Sequence, residues 1–86
     1  MSFTDSAIDR GHDIVGVGFS YSDANIVTPN SIVMASITEV DSNGHPFQGL
    51  ASLRICNVVP DFNQVLVRCE ILWESDVTFR VSIFIA

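Results

Sequence analysis

The sequence predicts an all-β protein, a small antiparallel β-sandwich of about five to six strands that associates with copies of itself. Two observations lead there. Apolar residues recur at every second position through most of the chain, and short turn signals separate the alternating runs. A third observation removes the alternative: no stretch keeps a helical period over a useful length.

The elements follow in order. Residues 1–13 are polar and read as an N-terminal arm, leaving 14–86 as the sandwich domain. In I-V-G-V-G-F-S, residues 14–20, Val15, Val17 and Phe19 alternate with glycines, as in a strand whose Gly face lies close to another backbone. Pro29 and Asn30 mark a turn. The run S-I-V-M-A-S-I-T-E-V, residues 31–40, reads as a buried strand ended by D-S-N-G, a hairpin-type turn signal. Residues 50–59 form a further strand with Ala51, Leu53, Ile55 and Val59 on one face, and P-D-F-N turns the chain. Residues 64–74 place Val65, Val67, Cys69, Ile71 and Trp73 inward, and Ser75-Asp76 reverses into the final strand, V-T-F-R-V-S-I-F-I-A. Its inward face is Val77, Phe79, Val81, Ile83 and Ile85, and its outward face holds both Arg80 and Phe84. Ile37, Leu53, Ile55, Val67, Ile71, Val81 and Ile83 are the expected core, each nearly fully buried.

Eighty-six residues allow one domain and one modest core. Hydrophobic residues make up 48% of the chain, and mean hydropathy is +0.38. So much apolar content on so small a body implies that another chain covers part of the surface. No run of apolar residues is long enough for a membrane-spanning helix. The start, M-S-F-T-D-S-A-I-D-R-G-H-D, has neither the basic nor the apolar segment of a signal peptide. Ten acids against four bases give a net charge of −6, which disfavours nucleic acid as a partner. The bases are Arg10, Arg54, Arg68 and Arg80, with no Lys.

Exposed sheet edges are commonly guarded by Lys, so a β-protein without any is expected to cover its edges by pairing with another subunit. The outward strand positions are read as carrying Glu39, Glu70 and Glu74 among Arg54, Arg68 and Arg80. Leu66, Leu72 and Phe84 share that parity, a mixture that suits an interface better than a solvated wall. Arg68, Glu70, Leu72, Arg80 and Phe84 are therefore the expected oligomer contacts. The last strand is expected to lie in that contact, with Arg80 paired to an acid such as Glu70 or Glu74.

Chemistry-bearing constellations are sparse. A hairpin turning about residues 61–63 sets Cys56 opposite Cys69, compatible with a disulfide or two metal ligands. Two buried thiols acting as small hydrophobes are favoured, because tight Cys/His spacing is missing and cross-strand bridge geometry is poor. His12 in D-R-G-H-D and His45 in N-G-H-P read as solvated loop histidines, with no activated nucleophile beside them. No catalytic residue, metal site or cofactor is assigned, and an enzyme is not expected. Trp73 reads as core by parity; the alternative is a rim aromatic stacking on a sugar or peptide beside Glu74 and Asp76.

From residue 29 onward the order P-N-S-I-V-M-A-S-I-T-E-V-D, L-R-I followed by V-V-P, C-E-I-L-W and V-S-I-F-I-A resembles the H-type lectin domain. The same order, with I-V-T-P-N-S-I-V and D-V-T-F-R-V-S-I-F-I, is also similar to the small tip domains of phage tail fibres. Both families are trimeric β-sandwiches, so the resemblance implies a homotrimer, placed on a virion or outside the cell. It further implies recognition of a cell-surface glycan or receptor. Leu53-Arg54-Ile55 matches in type the lectin strand that carries a sugar-contacting Arg. The expected ligand contacts are Arg54, Trp73, Glu74 and Asp76. The alternative function is a structural subunit of a virion or tail fibre with protein partners only.

Overall fold

The computed structural model describes residues 2–23 and 25–86, and among them the chain forms six strands and no helix. The strands are β1 (Phe3–Gly11), β2 (Asp13–Ser20), β3 (Val33–Glu39), β4 (Ser52–Asp61), β5 (Gln64–Leu72) and β6 (Val77–Ile85). They make two antiparallel three-stranded sheets in the orders β1-β6-β3 and β2-β5-β4. The inward side chains of the two sheets meet in one core, as in a sandwich.

Alternation sets the core. Val65, Val67, Cys69 and Ile71 of β5 and Val77, Phe79, Val81, Ile83 and Ile85 of β6 are all buried. Val17 and Phe19 of β2 complete the layer, and Val27 of the 21–32 connection closes one end. That connection is tied down by backbone bonds: Tyr21 N donates to Asn63 O at 2.8 Å and Asn63 N to Val27 O at 3.3 Å. The Tyr21 hydroxyl donates to Asp5 of β1 at 2.9 Å, and its ring meets Phe3 edge-on. Burial, and then the bond to Asp5, raise its phenol pKa far above the ordinary value.

Several expectations are corrected here. Residues 3–11 of the expected N-terminal arm are not loose, and residue 1 lies outside the described residues: β1 pairs with β6 in continuous register from Phe3↔Ile85 to Gly11↔Val77. Its period-two pattern of Phe3, Asp5 and Ala7 facing in is weak in hydrophobicity, so only the pairing reveals the strand. Asp13, with φ of 60°, then turns the chain into β2 on the other sheet, a left-handed conformation that Asp tolerates better than most side chains.

The final strand is not a free edge either. β6 is the centre of its sheet, hydrogen-bonded to β1 on one side and β3 on the other, so its backbone is covered by its own chain. Of the seven expected core residues, Val67, Ile71, Val81 and Ile83 are buried. Ile37, Leu53 and Ile55 are only half-buried, because β3 and β4 are sheet edges. Glu39 continues the inward parity of Val33, Ala35 and Ile37 instead of facing out, and its carboxylate fills the space left by the missing side chain of Gly49.

A bulge accounts for the remaining differences on β4. The register moves from Ile55↔Cys69 to Asn57↔Arg68, leaving Cys56 as the extra residue. Beyond it parity inverts: Val58 packs on the core and Val59 faces out. Cys56 is consequently exposed, and only Cys69 is the buried thiol the sequence predicts. Both are free. Burial, then proximity to Cys56, raise the Cys69 pKa. A thiol reagent should therefore modify one cysteine in the native protein and two after denaturation, with Cys56 the early site by peptide mapping. Equal protection of both thiols would refute the bulge.

The turn signals agree with the structure. Asp41 Oδ1 accepts from the N–H groups of Asn43 and His45 at 2.8 and 2.9 Å, and Gly44 adopts φ of 80°. The β4–β5 hairpin closes through Phe62-Asn63, with Asn63 at φ of 63°.

Candidate functional site

Three connections gather at one end of the sandwich: the β1–β2 junction at His12, residues 73–76 between β5 and β6, and residues 40–51 between β3 and β4. The 73–76 turn holds three of the four expected ligand contacts. Trp73 lies just past β5, and its N–H donates back to Ile71 O at 3.0 Å. That tight closure turns the indole out of strand alternation, leaving Trp73 39% exposed instead of packed in the core. Glu74 and Asp76 are exposed beside it in the chain.

Asp76 is the anchored member. His12 Nδ1 lies 2.6 Å from Asp76 Oδ1, and Arg10 Nε is 4.0 Å from Asp76 Oδ2. Asp13 Oδ2 stands 3.8 Å from the other His12 nitrogen. His12 is thus not merely a solvated loop residue; the D-R-G-H-D run supplies a clamp for a turn more than sixty residues away. Position in sequence could not show this, since β1 and β6 become neighbours only through pairing.

The hydrogen bond that His12 donates to Asp76 raises the His12 pKa above 6.5, with partial desolvation opposing it and the charges of Asp13 and Asp76 adding to it. A histidine that binds its proton more tightly when folded contributes stability fully below its unfolded value. That contribution disappears as pH rises through the raised folded value. Proton NMR titration should show the His12 midpoint above the ordinary histidine value of 6.5, and Asp76→Asn should bring it down. Unchanged titration in Asp76→Asn would rule out the clamp.

Arg54 is not in the loop cluster. It faces outward on β4, opposite Glu70 of β5, with which it forms an ion pair. It lies one outward row from Ser52↔Leu72, where the strands run into the candidate end. The expected interface residues divide between two surfaces. Arg68, Glu70 and Leu72 sit on the outer face of the β2-β5-β4 sheet, and Arg80 and Phe84 on that of the β1-β6-β3 sheet. Arg80 and Glu70 therefore point away from each other within one protomer and can meet only between protomers. On the β1-β6-β3 face, Ser6, Ser82 and Ser36 form one row, and Thr4, Phe84 and Met34 the next. Among the described residues, no group of three His, Cys, Asp or Glu side chains is placed to hold a metal ion.

No family model, curated protein or solved structure matches this chain. The residues and their geometry are what bear on its function.

Proposed function

We propose that this chain is a non-enzymatic, homo-oligomeric β-sandwich binding module that recognises a cell-surface glycan or receptor through the loops at its His12–Trp73 end. The observation that carries this reading is the exposed Trp73 indole on a turn with Glu74 and Asp76. An aromatic face with carboxylate acceptors close by suits a sugar ring, whose C–H face stacks while its hydroxyls donate. The His12–Asp76 contact holds one acceptor in place before the ligand arrives. The resemblance to H-type lectins supports the same reading, and in a homo-oligomer repeated weak sites bind by avidity.

Glycan-array binding by the intact protein tests it. A defined subset of glycans should bind, and Trp73→Ala should abolish the signal while the protein stays folded by circular dichroism. A folded wild type that binds no glycan, or a Trp73→Ala protein that binds as well as wild type, would remove this site as a sugar reader.

One observation favours a second reading, a structural subunit of a virion or tail fibre with protein partners only. Large apolar side chains stand exposed on both outer faces, Ile8 and Met34 on one and Ile14 and Leu66 on the other. Association dependent on those faces, without glycan binding, would select it.

A further inference from the structure

The outer face of the β2-β5-β4 sheet holds four rows that cross all three strands, Ile14–Glu70–Arg54, Gly16–Arg68–Asn57, Gly18–Leu66–Val59 and Ser20–Gln64–Asp61, with the two-strand row Leu72–Ser52 beyond the first. Ile14, Leu66 and Val59 are 57%, 48% and 43% exposed around a shallow trough of about 480 Å³. Three strands of this length make a face about 30 Å by 14 Å, which side-chain relief raises to roughly 600 Å² of accessible surface. Two such faces together reach about 1,200 Å², the lower bound of specific protein interfaces.

Charge decides what fits there. Asp61 stands in the last row and Arg54 in the first, both on β4. Arg68, in the middle, forms no ion pair among the described residues. We infer that this face docks a second copy of the chain about a two-fold axis lying across the strands, an inference that rests on the homo-oligomeric reading above. That operation inverts the row order and sets each strand over its own counterpart. Asp61 then faces the second copy's Arg54, and the reciprocal pair forms by symmetry. The Gly18 row meets the second copy's Gly16 row, where missing side chains let the two β2 backbones draw together. The Arg68 stem lies on the second copy's Leu66, with its guanidinium directed toward Asp61 of that copy. A two-fold axis along the strands would instead stack Arg68 on Arg68, placing like charges together in a desolvated contact.

Sedimentation of the intact chain at micromolar concentration tests the contact, with circular dichroism recording that each variant is folded. Wild type should sediment at twice the 9.4 kDa protomer mass. Leu66→Glu and Gly16→Val should each weaken association by about tenfold or more. Neither should unfold the protomer, since Leu66 is exposed and a Cβ at Gly16 meets nothing within 4 Å. Met34→Glu, on the opposite outer face, should leave association unchanged. A three-fold mass, or association lost in Met34→Glu but kept in Leu66→Glu and Gly16→Val, overturns this face and symmetry while leaving the homo-oligomeric reading in place. A wild-type monomer overturns both.

Discussion

Phe79→Ala should remove a large share of the protein's stability. Phe79 is the largest fully buried side chain, at 0% exposure, and it sits on the central strand β6 between Asp9 of β1 and Glu39 of β3. Its truncation removes the ring from a core that both sheets pack against, so strands on either side cannot collapse into the space without losing register. Replacements of this kind cost about 3–5 kcal/mol. An 86-residue domain has about 4–13 kcal/mol of stability in total, so the loss takes a large share of it. Urea unfolding followed by circular dichroism should show the midpoint moved sharply toward zero denaturant. A midpoint within experimental error of wild type would mean that β6 is not the core strand.

Ile71→Ala should cost about 2–5 kcal/mol, and Ile37→Ala and Leu53→Ala roughly half as much. All four side-chain carbons of Ile71 are withdrawn from water, because β5 has a strand on each side and the second sheet across its inward face. Ile37 and Leu53 point toward the same core from edge strands, where one flank is open and part of the side chain remains hydrated. Less apolar surface is lost to water in the unfolded state, and solvent can enter the vacated space instead of leaving a void. Denaturant midpoints for the three variants, compared at equal slope, check the ranking. Equal losses at all three positions would contradict the assignment of β3 and β4 as edges.

The candidate end of the sandwich was partly legible. Trp73, Glu74 and Asp76 stand together in sequence, so their common turn is local information, and Ser75-Asp76 marks the reversal. The orientation of Trp73 was not legible, since alternation carried one residue too far puts it in the core. The backbone closure onto Ile71 breaks that alternation, and nothing in residue type announces it. His12 stood out in D-R-G-H-D, yet its partner Asp76 is brought near only when β1 pairs with β6. Arg54 was readable as outward-facing, and its pairing with Glu70 required the β4–β5 register.

By itself the sequence determined the all-β class, five of the six strands and the turns at Asp41–Gly44 and Phe62-Asn63. These depend on side-chain alternation and on backbone preferences of neighbouring residues, which act over a few positions and need no tertiary partner. Tertiary structure decided the rest. Which strand is central and which is an edge is a property of pairing between distant segments, so the same alternating pattern yields a fully buried Ile71 and a half-buried Ile37. The weakly apolar residues 3–11 become a strand because β6 offers them an unpaired row of backbone groups, whose hydrogen bonds outweigh poor local hydrophobicity. The bulge at Cys56 likewise arises from fitting β4 to β5, and one extra residue there turns Cys56 to solvent and Val59 onto the outer face.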